Sequence, residues 1–218
     1  CSSRGLGDVY KRQGRSTLST ADMDEGQAHG ERALTKASVY PSEAFCVFDL
    51  ETQRSAADVG GWQNAHRMKV SCGVIYDSRQ DRFLEFMSDQ VPELIRHLRR
   101  ADFVIGFNVK GFDYKVLSGY SKTNFGRLET LDILEAVHQI LGYRLSLNHL
   151  AEVTLKEPKK ADGLQALEWW REGRLRELVD YCRHDVQLTR DLYLYGRSHG
   201  HLLFRDKAGR VLRIPVNW

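Results

Sequence analysis

Along the 218-residue chain, the spacing of apolar residues is typical of strands in some segments and of helices in others. Residues 43–52 form a short, mostly apolar run that ends in acids, which predicts a buried central strand. Two further strand patterns, "MKVSCGVIYD" and "DRFLEFM", are separated by the turn-prone residues 77–80 and predict a hairpin. A fourth strand is predicted at "DFVIGFN" and a fifth at "RLETLDIL". The Gly-bearing segment "RSAADVGGWQNA" predicts a loop after the first strand.

Segments with helical periodicity lie between and after these strands. "VPELIRHLRRA" has Pro92 near its first turn and apolar residues at helical spacing, which predicts a helix. Further helices are predicted from Phe112 through Tyr120 and over "EAVHQILGY", "SLNHLAEVT", "LQALEWWREG" and "RLRELVDYCRHDVQLTRDLYLYGRS". The tail predicts a hairpin that turns at residues 207–209. Three strands in a meander followed by strand–helix–strand units predict an α/β fold, with a mixed sheet flanked by helices.

Length and composition predict one globular domain. A hydrophobic content of 42% and a charged content of 28% are typical of a soluble globular protein. The net charge of +3 is too small for the basic footprint of a high-affinity duplex binder. We expect residues 43–218 to form the domain and residues 23–42 a polar arm. Residues 1–22 are expected to be a leader foreign to the fold, either adapter-derived sequence or a disordered tail, because "CSSRGLGDVYKRQ" shows no periodicity.

The cysteines and the apolar runs indicate in which cellular compartment the protein is expected. Cys46 and Cys72 lie in apolar strand patterns and are predicted to be buried thiols. The four cysteines form no CxxC pair and no Cys/His array with zinc spacing, which indicates a reducing compartment. The sequence contains no apolar run of membrane-spanning length and no signal-peptide pattern. We therefore expect a cytoplasmic protein.

Four carboxylates lie on apolar, structured segments. They are Asp49 and Glu51 in "VFDLET", Asp113 in "IGFNVKGFDYKVL" and Asp185 in "YCRHDVQLT". A buried carboxylate needs a compensating partner, and a bound divalent cation compensates several carboxylates that converge. The pattern therefore indicates a metal-dependent reaction on phosphates.

Each motif taken alone has a structural alternative. Asp49 and Glu51 project from one face of a strand, and such pairs usually lie on a solvated face. Asp113 in a first helical turn is a common partner of the helix dipole. Tyr181 and Asp185 are four residues apart and share one helical face, where the phenol can hold a water in line for attack at phosphorus or simply pack in the core. Short motifs recur by chance, so only their combination is specific.

In this order the motifs resemble those of the DEDD (DnaQ-like) 3′–5′ exonucleases of the ribonuclease H-like fold, in their Tyr-bearing subgroup. The supporting segments are "FDLET", "IGFNVKGFD", "TLDIL", "LNHLAE" and "DYCRHDVQLTRDLY". The chain is most similar to the YprB-type ribonuclease H-like domain, and it is also similar to the proofreading domains of B-family DNA polymerases. The resemblance covers roughly residues 43–200. A His-bearing subgroup would have His at position 180, which is Asp here.

The resemblance implies a metal-dependent exonuclease. Asp49, Glu51, Asp113 and Asp185 would bind two Mg²⁺ or Mn²⁺ ions, and Tyr181 would orient the attacking water. Oxygen ligands without a thiol suit these ions, and two metals stabilise the attacking and leaving oxygens of an in-line displacement. The implied reaction hydrolyses phosphodiester bonds at a single-stranded 3′ end of DNA or RNA and releases nucleoside monophosphates. The candidate substrate contacts are Thr52, Asn108 and Phe112.

Several other side chains have two interpretations each. Asp132 either contributes to the site or has a structural role. The pair Trp169 and Trp170 either stacks on a base or packs beneath the last helix. Phe107 and Phe112 either wedge against a terminal base or lie in the core. Lysines 156, 159 and 160 touch phosphate or are solvated. His184 is expected to be a neighbouring contact of the metal acid and not the base, and His138 and His149 are expected to be hydrogen-bonded polar groups.

The sequence has two alternative functional interpretations. The chain is alternatively a non-catalytic nucleic-acid-binding module that recruits a helicase or repair partner, which loss of an acid would favour; all four acids and Tyr181 are present. It is alternatively a scaffold in which the acids form an ion-pair network. That scaffold needs basic residues in each motif, and no Lys or Arg lies within four residues of Asp49.

Overall fold

A five-stranded mixed sheet forms the centre of the protein. The computed structural model describes residues 44–157 and 163–218, so the predicted leader, the polar arm and most of the "KEPKKADG" loop lie outside the described residues. The strands are β1 Cys46–Thr52, β2 Val70–Asp77, β3 Arg82–Met87, β4 Val104–Gly106 and β5 Thr130–Asp132. Their order is β3-β2-β1-β4-β5, with β1 antiparallel to β2 and parallel to β4. The predicted fold class, a three-strand meander followed by parallel strands, is confirmed.

Helices cover both faces of this sheet. Their bounds are α1 Ala56–Val59, α2 Val91–Arg100, α3 Asp113–Leu117, α4 Ile133–Leu141, α5 Leu147–Leu155, α6 Gly163–Arg171 and α7 Leu175–His199, with 3₁₀ segments at Trp62–Arg67 and Phe125–Arg127. Alternate residues of β1 face opposite sides, since strand side chains alternate. Phe48 and Leu50 pack in one core with residues of α2 and α3, whereas Val47 packs in a second core with residues of α7.

The chain ends in a separate hairpin, as predicted from the tail. Strands β6 His201–Arg205 and β7 Val211–Pro215 pair with each other, and Gly209 takes a positive φ of 81° in the turn. The hydroxyl of Thr154 on α5 accepts the N–H of Leu203 and donates to its carbonyl, at 3.0 and 2.9 Å, which ties the hairpin to the domain. None of the helices in the described part of the chain combines the length and the hydropathy that crossing a membrane requires.

Two sequence predictions were wrong in detail. The predicted loop after β1 contains α1, because Ser55 and Asp58 form a capping box in which each side chain satisfies a backbone N–H of the other. The predicted fifth strand is shorter than "RLETLDIL", because Asp132 caps α4 by accepting the N–H of Glu135 and so ends the strand.

Candidate metal centre and its cleft

Three of the four predicted carboxylates converge on one place. Each of Asp49, Glu51 and Asp185 offers a carboxylate oxygen within 4.8 Å of the others, and all three side chains are partly exposed. Asp49 and Glu51 come from the face of β1 that α7 covers, and Asp185 comes from α7 itself. Within the described residues this is the only group of three acids, histidines or cysteines with such spacing. The arrangement provides hard oxygen ligands that an ion from solution can reach.

The three acids disfavour one another's charge when no cation is present. Burial raises the pKa of Asp49 well above its ordinary value, and the charges of Asp113, Glu51 and Asp185 raise it further. Burial likewise raises the pKa of Glu51, with added contributions from Cys72, Asp185 and Asp113. Like charges held together in a poorly solvated place need a compensating positive charge. The donor set therefore fits a divalent cation.

The fourth acid, Asp113, lies beside the cluster and not in it. It lies in the first turn of α3, as predicted, and is only 2% exposed. Its Oδ1 accepts the backbone N–H of Leu50, between Asp49 and Glu51, at 3.2 Å. Burial raises the pKa of Asp113 to about 7, against hydrogen bonds from backbone N–H groups that lower it. Asp113 is thus near enough to raise the pKa of both Asp49 and Glu51, while one of its oxygens accepts a backbone N–H of β1.

Tyr181 lies about one helical turn before Asp185 on α7. Burial raises its pKa above the ordinary value, and the charges of Asp185, Glu51 and Asp49 and a hydrogen bond to Asp185 raise it further. The phenol therefore keeps its proton and acts as a hydrogen-bond donor rather than a base. The ring of Trp169 meets it edge-on with a centroid distance of 6.0 Å, so Trp169 packs against a predicted site residue.

Cys182 is a contact that the sequence analysis did not assign. Its Sγ lies 3.5 Å from the carbonyl oxygen and 3.6 Å from Oδ2 of Asp49. Cys46, Cys72 and Cys182 are all buried free thiols, which confirms the prediction for the first two. The helical position next to Tyr181 was visible in the sequence, but its orientation toward β1 depends on how α7 crosses the sheet.

A cleft of about 460 Å³ is lined by Asp49, Tyr181 and Asp185, among other residues. Arg144 lines it as well and is the only lysine or arginine among its described lining residues. The guanidinium of Arg144 donates to Oδ1 of Asn108 at 2.9 Å. A single anchored cation in a cleft bordered by carboxylates is suited to a phosphate group. No sequence motif indicated a role for Arg144.

Asp132 holds the loop that carries Asn108. Its two oxygens accept the backbone N–H groups of Asn108 and Lys110, at 2.8 and 3.0 Å, and Asn108 has a left-handed φ of 68°. Of the two interpretations of Asp132, these bonds favour the structural one. Asn108, a predicted substrate contact, borders the cleft and positions Arg144.

The other two predicted substrate contacts, Thr52 and Phe112, each contact a neighbouring group of the protein. The hydroxyl of Thr52 donates to the carbonyl of Arg54 at 3.0 Å. The ring of Phe112 meets Trp62 edge-on at 5.8 Å. His184 is buried on α7, and His149 Nε2 accepts the N–H of Arg205 at 3.1 Å, as expected for a hydrogen-bonded polar group.

Comparison with known proteins agrees with this architecture. Residues 46–195 match the family model of the RNase H superfamily, and this range contains all four acids and Tyr181. Among solved structures, the family B DNA polymerase from the hyperthermophilic archaeon Pyrobaculum calidifontis is similar, with a TM-score of 0.55 and 18% sequence identity. The similarity covers 72% of this chain but only 25% of the polymerase, so it shows a shared fold over a part of that protein. No curated protein gives a significant match. Because the family match extends over more than half of its length, the chain belongs to the RNase H superfamily.

Proposed function

We propose that this protein is a metal-dependent 3′–5′ exonuclease that hydrolyses phosphodiester bonds of nucleic acid. Membership of the RNase H superfamily supports a nuclease acting on nucleic acid, and enzymes of this fold typically use divalent metals. The observation that carries the proposal is the group of Asp49, Glu51 and Asp185, whose oxygens lie within 4.8 Å of one another. The 3′–5′ direction rests on the resemblance of the motifs.

Asp49, Glu51 and Asp185, with Asp113 beside them, would hold two Mg²⁺ or Mn²⁺ ions. When bound, such ions stabilise the attacking and leaving oxygens of an in-line displacement at phosphorus. Tyr181 retains its proton, because burial and the charge of Asp185 raise its pKa, so its phenol can hold and orient a water molecule. Arg144, anchored by Asn108, would bind a neighbouring phosphate of the strand. The products would be nucleoside monophosphates.

The non-catalytic alternative has weaker support. A binding module that recruits a helicase or repair partner needs neither a carboxylate cluster nor a tyrosine next to it, and the described residues contain both. The ion-pair scaffold is disfavoured too, because the pKa values of Asp49 and Glu51 are raised rather than lowered, as they would be beside basic partners. A cytoplasmic location and a helicase or repair partner stay predictions from the sequence.

A labelled oligonucleotide tests the proposal. The full chain is incubated with 5′-labelled single-stranded DNA, single-stranded RNA or duplex, in Mg²⁺, in Mn²⁺ and in EDTA. We expect a ladder that shortens from the 3′ end and requires the metal. Asp49→Asn and Asp185→Asn should abolish the ladder, since each removes a charged ligand.

Asp180→Asn provides a matched control. Asp180 lies on the same helix as Asp185, but it is exposed and pairs with Arg176 at 2.9 Å. The control variant should cleave like the unchanged protein. A ladder that persists in EDTA or in Asp185→Asn would contradict the metal mechanism. Binding of the strand without any cleavage would favour the binding module instead.

A further inference from the structure

An exposed tryptophan contacts Phe112, the residue that precedes Asp113. The side chain of Trp62 is 68% exposed, more than any other described aromatic residue. Its ring meets the ring of Phe112 edge-on, with a centroid distance of 5.8 Å and an interplanar angle of 74°. Phe112 directly precedes Asp113, whose carboxylate holds the backbone between Asp49 and Glu51. Trp62 is therefore connected to the strand that carries Asp49 and Glu51 through Phe112 and Asp113.

The segment that carries Trp62 is held in place by many contacts. The Ser55–Asp58 capping box fixes the start of α1, and Arg171 of α6 pairs with Asp58 at 3.1 Å. The side-chain amides of Gln63 and Asn64 donate to carbonyl oxygens of the preceding turn at 2.8 and 2.9 Å. The exposed ring is thus presented by a braced turn and not by a loose loop.

Three glycines allow this turn to form against α3. Gly60 and Gly61 take positive φ values of 83° and 115°, which favour glycine, immediately before Trp62. At Gly119, just beyond α3, any Cβ atom would overlap the carbonyl oxygen of His66, so the 3₁₀ segment and the end of α3 approach very closely. The position of the tryptophan is therefore fixed before any ligand arrives.

We propose that Trp62 stacks on a nucleobase of the strand whose phosphodiester bond lies at Asp49, Glu51 and Asp185. This inference rests on the proposed nuclease function. Aromatic side chains that are ordered beforehand bind bases without regard to sequence, because every base has a π-face. A single ring next to one phenylalanine is far smaller than the roughly 800 Å² that each partner buries in a stable protein interface. A single nucleobase is the occupant that matches the size of this ring.

Strands with a missing base test the stacking directly. The full chain and its variants cleave 5′-labelled single strands with Mn²⁺, and an abasic position is moved one nucleotide at a time along the strand. For the unchanged protein we expect kcat/KM to fall roughly 5- to 100-fold when the abasic position reaches the base that Trp62 contacts, and much less elsewhere. Trp62→Ala should show a similar loss on the intact strand and no further loss at that position. Trp62→Phe should keep most of the activity and the position-specific loss.

Leu194→Ala is the control, because Leu194 is an exposed apolar side chain on α7 at 42% exposure and has no part in the site. Thermal unfolding of each variant confirms that it is folded. An abasic profile in Trp62→Ala that equals the profile of the unchanged protein overturns the stacking contact. A loss in Trp62→Ala with that same profile shows general damage and overturns it too. If the unchanged protein cleaves no strand, the proposed function itself fails, which separates the two outcomes.

Discussion

Replacing Asp113 by asparagine should change how the stability of the metal-free protein depends on pH. Asp113 is 2% exposed, and burial raises its pKa from an ordinary value of 3.8 to about 7. The folded protein therefore holds a proton that the unfolded chain releases near pH 4. The stabilisation is complete below that pH and is lost as pH rises to about 7, because unfolding in this range releases a proton; above about 7 the carboxyl is charged in both states and the loss is complete.

The structure sets the size of this effect. The difference between 3.8 and about 7 corresponds to about 4 kcal/mol at pH 8, where Asp113 would be charged in both states. An asparagine can still accept the N–H of Leu50 through its oxygen, but its buried NH₂ group costs about 1–3 kcal/mol if unpaired. Asp113→Asn should thus be about 1–3 kcal/mol more stable than the unchanged protein at pH 8, and this advantage should shrink to about zero at pH 5, where the unchanged protein has lost only about 2 kcal/mol.

Urea unfolding in EDTA at pH 5 to 8.5 measures this difference. The unchanged protein should lose stability across the range, and Asp113→Asn should lose less. Removing the charge of Asp113 also removes its repulsion of Asp49 and Glu51, whose pKa values it raises. This second contribution also makes Asp113→Asn more stable than the unchanged protein at high pH. Added Mn²⁺ should stabilise the unchanged protein at pH 8 and stabilise Asp113→Asn less. Asp180→Asn, an exposed acid, serves as the control. Parallel stability curves for the unchanged protein and Asp113→Asn would refute the reasoning.

Two further predictions concern the cleft. Tyr181→Phe should lower kcat by about 10- to 100-fold, the worth of one hydrogen bond near charged groups, while calorimetry shows unchanged Mn²⁺ binding; loss of Mn²⁺ binding would contradict an orienting role. Arg144→Ala should weaken single-strand binding and reduce the slope of log K against log salt by about 0.7, as for one lost phosphate contact. The exposed Arg99 on α2 provides the control Arg99→Ala, and an equal change in slope there would count against a local contact of Arg144.

The sheet could be predicted because its strands carry a strong local pattern. The central strand β1 is apolar on both faces and ends in acids, and the turn after β2 marks the hairpin. The four-residue helix α1 was missed because it buries only Val59, too little for a hydrophobic period. Its capping residues, Ser55 and Asp58, were the available signal. The end of β5 was missed for a related reason, since Asp132 is a helix cap inside an apolar run.

The site was predicted in its chemistry and only partly in its geometry. Residue spacing places Asp49 with Glu51, and Tyr181 with Asp185, because each pair shares one secondary-structure element. That α7 brings Asp185 to β1 follows from packing across the sheet, which the family resemblance implied but no local pattern determines. The contacts of Arg144 with Asn108 and of Trp62 with Phe112 join residues 36 and 50 positions apart. No local period connects such residues.

The position of Asp113 has a reason in the sheet itself. Strand β4 pairs with β1 only through Cys46 and Val47, and the N–H of Cys46 bonds to the carbonyl of Phe103 on that side. Leu50 is four residues further along β1 and directs its N–H to the same side, where β4 has already ended. Oδ1 of Asp113 accepts this N–H and so substitutes for the missing strand. A short β4 therefore opens the sheet beside Asp49 and Glu51 and at the same time requires an acceptor there. A carboxylate meets both needs, because it completes the backbone pairing of β1 and adds negative charge beside the acids that would hold the metal.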